Sequence, residues 1–149
     1  MKIEKILVPV DFSECSRVAL QHAVHYANAF GVQRIDVLHV WEPPRRLTLE
    51  TKVTQEGREE TLGEFLQSQA GQSMKAFLTS VEGGGEYRVQ GRLESGEPHQ
   101  TIIEVAQTEG FDLIVMGTTG ESTSTQLGSN TQRVVRRAPC PVLTIRTPA

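Results

Sequence analysis

The chain has 149 residues, 38% apolar and 22% charged, with 13 glycines and 7 prolines, the size and composition of one ordinary globular domain. Its net charge of −3 gives no electrostatic reason to expect nucleic acid or an anionic membrane as partner. No apolar run approaches the roughly 20 residues that span a bilayer, and two cysteines, Cys15 and Cys140, build no disulfide framework.

The chain opens on Met1-Lys2-Ile3-Glu4-Lys5, which lacks the layout of a signal peptide, so a cytoplasmic protein is expected. Ile3 to Val10 holds the apolar run Ile6-Leu7-Val8 and ends near Pro9, the pattern of a strand buried on both faces. Ser13 is placed to cap a helix over Glu14 to Phe30, where Ala19, Leu20, Ala23, Val24, Ala27 and Phe30 form one apolar stripe. Gly31 ends it. Ile35 to Trp41 is a second strand, closed by Glu42-Pro43-Pro44. Residues 45 to about 55 show no period and read as a surface excursion. A long helix is expected over Glu56 to Val81, with Leu62, Phe65, Leu66, Ala70, Met74, Phe77 and Leu78 on its buried side.

Gly83-Gly84-Gly85 marks a turn, and Tyr87 to Leu93 alternates apolar and polar residues as a third strand at a sheet edge. Pro98 opens a helix containing Ile102, Ile103, Val105 and Ala106, which Gly110 closes. Phe111 to Met116 is a fourth strand of central character. A Gly/Ser/Thr loop runs from Gly117 to Gly128, a helix from Ser129 to Arg137, and a last strand from Val142 to Ile145. This β-α alternation implies an α/β fold: a doubly wound, open five-stranded parallel sheet with helices on both faces.

Such sheets bind ligands beyond the C-terminal ends of their strands. Pro9-Val10-Asp11, Val40-Trp41 and Met116-Gly117 meet there if the first and fourth strands are neighbours. Asp11 is the only carboxylate among them, and it suits ribose hydroxyls or an amino group rather than phosphate. The loop from Gly117 to Ser129 lets successive N–H groups converge on an anion. Gly128-Ser129 also starts a helix, where free N–H groups favour phosphate. As context-free signals these glycines and hydroxyls equally describe a plain connecting loop.

In this order the segments Ile6-Leu7-Val8-Pro9-Val10-Asp11-Phe12-Ser13, Val37-Leu38-His39-Val40, Gly96-Glu97-Pro98, Asp112 to Gly120, Gly128-Ser129 and Ala138-Pro139-Cys140-Pro141-Val142-Leu143 resemble the universal stress protein family over essentially the full length. The resemblance implies one nucleotide-binding domain over residues 1–149, with strand order 3-2-1-4-5. It also implies a homodimer joined through the last strand, Val142 to Ile145, and a role in regulation under stress. One branch of the family binds ATP through G-x-x-G, nine residues, then G-[S/T]. Carried over, Asp11 would bind the adenosine part, Val40 would meet the base through its backbone, and Pro9 and Val10 would line the adenine side. Met116, Gly117 and Gly120 would lie under ribose and phosphates, with Gly128, Ser129, Asn130 and Thr131 around the phosphates.

One departure qualifies this expectation. Seven residues, Glu121 to Leu127, separate Gly120 from Gly128, against nine in the ATP-binding pattern, and Glu121 stands where family loops often carry a basic residue. The expected ligand is ATP, or AMP or a cyclic nucleotide in a shorter arch, with or without magnesium. The alternative is a dimeric interaction module that has lost its nucleotide. Arg133 lies one turn beyond Ser129 and, like Arg136 and Arg137, is read mainly as a solvated charge. With no lysine in the glycine loop and no identifiable general base, turnover of ATP is expected to be slow or absent. A Rossmann dehydrogenase is disfavoured, since the glycine pattern follows the fourth strand and not the first. His22 and His25 have metal-ligand spacing but no third ligand nearby, so they are read as exposed or partly packed histidines. His39 is read as a core or supporting histidine and Cys140 as structural. Cys15, in the first helical turn, is placed where the helix dipole lowers a thiol pKa, but with no identifiable general base it is not expected to be catalytic. Trp41 either caps the base pocket or packs the following loop.

Overall fold

The computed structural model describes residues 1–81, 85–119 and 126–147. Its elements are β1 (Lys5–Pro9), α1 (Glu14–Phe30), β2 (Arg34–Trp41), β3 (Lys52–Gln55), β4 (Arg58–Thr61), α2 (Leu62–Thr79), β5 (Arg88–Ser95), α3 (Pro98–Thr108), β6 (Leu113–Gly117), α4 (Ser129–Arg137) and β7 (Val142–Ile145). Five strands form one parallel sheet in the order β5-β2-β1-β6-β7. With the short β3–β4 pair set aside, this is the expected 3-2-1-4-5 arrangement.

The period-two alternation of strand side chains sorts the core into two layers. Ile6, Val8, Ile35, Val37 and Val115 pack against Ala19, Leu20 and Ala23 of α1 and Met74 and Phe77 of α2. Leu7, Leu38, Ile114 and Met116 point the other way, onto Ile102 and Ala106 of α3 and Val134 of α4. Ile6, Leu7, Val8, Ile114 and Val115 are fully buried. Each such side chain contributes about 1.5–3 kcal/mol of transfer free energy, which is why the inner strands read as unbroken apolar runs.

The helix signals in the sequence have direct counterparts. The Ser13 hydroxyl accepts the Ser16 N–H at 3.2 Å, and Gly31 ends α1 in a left-handed conformation with φ 68°. Pro98 opens α3.

The stretch before α2 differs from expectation. Residues 52–61 form an antiparallel hairpin, with Lys52 opposite Thr61 and Gln55 opposite Arg58. Its two-residue turn, Glu56-Gly57, has positive φ at both positions, 52° and 78°, the geometry that matches strand twist in tight hairpins. The strands are Lys-Val-Thr-Gln and Arg-Glu-Glu-Thr, so neither carries an apolar face that a periodicity reading could detect. Helix α2 therefore starts at Leu62 rather than Glu56. Thr61 accepts the Glu64 N–H at 3.1 Å while Glu64 accepts the Thr61 N–H at 3.0 Å, a reciprocal capping box.

Among the described residues, one charged group lies inside the core. Asp36 is completely buried in β2, on the α3 side. Arg34 grips both its carboxylate oxygens at 2.6 Å, and Arg92 of β5 reaches it at 3.3 Å. Arg92 also pairs with Glu109 at the end of α3. Arg92, one of the alternating polar residues of β5, thus forms the outer part of an ion cluster.

Candidate functional site

A cavity of about 480 Å³ opens at the C-terminal ends of β1, β2 and β6, between the starts of α1, α3 and α4. That volume lies within the range of small-molecule sites. Of the residues singled out in the sequence, Pro9, Val10, Asp11, Val40, Met116, Gly117, Gly128, Ser129, Asn130 and Thr131 all line it. Gly120, like Glu121, lies outside the described residues. The sequence reading gave no site role to Ser16, Leu38, His39 or the α3 residues Pro98 and Ile102, which also line the cavity, as do Thr119, Gln126 and Leu127 of the glycine loop. The α3 pair carried a usable signal, since Gly96-Glu97-Pro98 marks a helix starting at the same sheet edge.

The two inner strands separate where the cavity begins. Val10 donates its N–H to the Leu38 carbonyl at 2.8 Å, the last ladder bond before the chain turns into α1. Asp11 is exposed, and its Oδ1 accepts the Ser13 N–H at 3.0 Å. A carboxylate with one backbone donor and, among the described residues, no ion-pair partner remains a ready acceptor for neutral donors. Apolar walls come from Leu38, Val40, Ile102 and Met116.

The far side of the cavity is main chain. Helices α1, α2 and α3 have side-chain caps from Ser13, Thr61 and Glu97, whereas α4 starts at Gly128 without one. The Gly128 N–H donates to the Thr118 carbonyl at 2.7 Å. The next three N–H groups, of Ser129, Asn130 and Thr131, have no acceptor within the helix and belong to residues lining the cavity. The Thr131 hydroxyl donates to the Gly117 carbonyl at 3.0 Å, so its proton ties α4 to β6. The cavity lining therefore combines an exposed carboxylate with a helix N-terminus suited to an anion.

Gly117 allows this closeness. A Cβ there would lie 2.6 Å from the Cys15 sulfur and 3.3 Å from the Cys15 main-chain carbon. Cys15 is buried. Burial pushes its thiol up, but hydrogen bonds from the Thr119 N–H, the Thr147 and Thr119 side chains and the Thr118 N–H outweigh this and hold it below the ordinary thiol value. Trp41 is not part of the cavity wall; its indole N–H donates to Gln67 of α2 at 3.1 Å. His22 pairs with the Tyr26 hydroxyl at 3.4 Å. Arg133, Arg136 and Arg137 are exposed on α4, outside the cavity lining.

Comparison with known proteins places this geometry. A model of the universal stress protein family matches residues 2–146. A universal stress protein of Methanocaldococcus jannaschii, MJ0531, is 31% identical over 147 residues, covering 97% of this chain and 83% of its own. The solved structure of MJ0577, from the same organism, superposes with a TM-score of 0.77 at 26% identity, covering 100% of this chain and 99% of the other. Three more distant structures share the fold. A universal stress protein in complex with cAMP is 23% identical, with a TM-score of 0.63 and coverage of 99% and 100%. An Arabidopsis thaliana member with AMP bound is 18% identical, with a TM-score of 0.62 and coverage of 98% and 93%. An Archaeoglobus fulgidus member in complex with dAMP is 20% identical, with a TM-score of 0.62 and coverage of 97% and 99%.

Proposed function

We propose that this chain, which belongs to the universal stress protein family, binds an adenine nucleotide in the cavity at its sheet edge and serves as a regulatory protein rather than an enzyme. The observation that carries this reading is the cavity's polarity. Its lining brings Val40 and the Asp11 carboxylate together with the uncapped N-terminus of α4, which suits a neutral nucleoside joined to an anionic phosphate. Structures of family members with AMP, cAMP and dAMP support the class of ligand.

Adenosine would lie between Pro9, Val10 and Val40, with Asp11 on the ribose hydroxyls. Phosphate would sit over Gly117, Gly120 and Gly128, facing the N–H groups of Ser129, Asn130 and Thr131. ATP with magnesium is one ligand of this class; the seven-residue spacing from Glu121 to Leu127 favours a single phosphate, as in AMP or a cyclic nucleotide. No helix among the described residues is long and apolar enough to cross a membrane, and we place the protein in the cytoplasm. Strand β7 lies at the sheet edge and would pair with its copy in a symmetric homodimer.

Calorimetric titration with ATP, AMP and cyclic AMP, with and without magnesium, tests the reading. Micromolar affinity is expected for at least one, strongest where a single phosphate is present. Absence of heat with all three, at protein concentrations that would reveal a weak site, replaces the reading with a nucleotide-independent dimeric module.

A further inference from the structure

We propose that His39 is a positioning residue: its ring takes the carbonyl of Val10 and so releases the main-chain N–H of Val40 to serve as the recognition edge of the cavity. The proposal rests on the nucleotide reading for the identity of the ligand, but the device itself is a property of the chain alone.

In the parallel register Pro9 faces Leu38, and Val10 donates its N–H to the Leu38 carbonyl at 2.8 Å. A residue that donates to the strand position before its partner accepts from the position after it, because parallel ladder bonds slant along both strands. The donor due at the Val10 carbonyl is therefore the N–H of Val40. The His39 Nδ1 occupies that place, 2.9 Å from the Val10 carbonyl oxygen. A carbonyl can only accept, so Nδ1 is the protonated donor in this contact.

Main-chain groups two residues apart on a strand point the same way. The Leu38 carbonyl faces β1, so the N–H and carbonyl of Val40 face the side that β1 has just left. Val40 and Val10 both line the cavity there. An N–H beside a carbonyl on one strand edge complements a planar ring with an acceptor next to an amino donor, as in the Watson–Crick edge of adenine. The corresponding edge of guanine has a carbonyl acceptor and a ring N–H, the donor and acceptor exchanged.

The ring is held from behind. Phe12 packs on His39 with centroids 4.3 Å apart and meets Phe77 of α2 edge-on at 5.6 Å. Phe12 has φ 65°, a left-handed conformation that a bulky residue keeps only where its surroundings over-determine it. That reversal carries the chain away from β2 directly after Asp11. Ring bond, aromatic stack and backbone strain all act to end the β1–β2 ladder one bond early.

The test compares full-length wild type, His39→Leu and His39→Asn, ¹⁵N-labelled, by amide hydrogen exchange, ring ¹⁵N shifts and AMP titration. The wild type is expected to show the Nδ1–H tautomer and rapid exchange at the Val40 amide. In His39→Leu the Val40 N–H closes onto the Val10 carbonyl, so its exchange slows and AMP affinity falls about tenfold, the worth of one hydrogen bond. The side-chain amide introduced by His39→Asn would restore a donor near the position of Nδ1, so this variant should keep both the exchange rate and the preference for AMP over GMP. An Nε2–H tautomer in the wild type, or a Val40 amide already protected there, overturns the proposal. So does AMP affinity in His39→Leu equal to that of the wild type. If the wild type binds no nucleotide at all, the functional reading fails, while the tautomer and the exchange rates still decide the role of His39.

Discussion

Asp11 and Asp36 stand beside the same two inner strands, at the cavity edge and beneath α3 respectively, and their surroundings are opposite. Asp36 is completely buried and held by two guanidiniums, Arg34 at 2.6 Å and Arg92 at 3.3 Å. Asp11 is exposed and accepts one backbone N–H, from Ser13 at 3.0 Å. A buried carboxylate survives only when its charge is matched and its oxygens are occupied, so the β2–β5 cluster is committed to the fold. The cavity carboxylate has no such commitment, and its remaining acceptor capacity is what a ligand would use.

The comparison breaks first at Asp36. Replacing it with Ala leaves Arg34 and Arg92 without their shared partner and is expected to lower unfolding free energy by about 3 kcal/mol. That is the low end for breaking a buried pair, since the two arginine side chains keep 29% and 18% exposure. Denaturant unfolding would read the loss, with the nucleotide affinity of the folded protein unchanged. Gly117→Ala should cost about 1–3 kcal/mol by overpacking against Cys15 and also weaken AMP binding. In the Cys15→Ala background its stability cost should shrink.

The cavity side shows the reverse pattern. Asp11→Ala should weaken adenosine binding about tenfold, near 1.4 kcal/mol, with unfolding free energy moving by no more than about 0.5 kcal/mol. Equal affinity in mutant and wild type would remove Asp11 from the site. Ser13→Ala, the smallest effect, should cost about 1 kcal/mol of stability through the lost α1 cap without altering titration heats. A matching loss of affinity would mean that the α1 cap, and not only Asp11, belongs to the binding machinery.

Legibility in the sequence followed burial. Ile6-Leu7-Val8 and Leu113 to Met116 announced themselves as inner strands because helices cover both their faces. The hairpin at 52–61 did not, because its strands bury little and their residues are polar. The T-x-x-E signature of Thr61 and Glu64 was present, and it would have placed the start of α2 correctly. At the site, residues at strand ends and helix starts were readable from topology. His39 was not: within Val37-Leu38-His39-Val40 it looks like one more strand residue, and its bond to the Val10 carbonyl depends on where β1 leaves the sheet.

The sequence by itself determined the five sheet strands, the four helices between them and the sheet edge where a ligand belongs, though not the 52–61 hairpin or the exposure of Phe30 at the end of α1, because apolar periodicity and capping residues are local signals. Only the tertiary structure decided which polar groups are occupied and which are open. Asp36 is held by its near neighbour Arg34 and, across the β2–β5 ladder, by Arg92, 56 residues away. Gly117 is required by Cys15, and the Val10 carbonyl is claimed by a ring 29 residues on. Hydrogen-bond partners far apart in the chain are chosen by proximity in space, which no local pattern records.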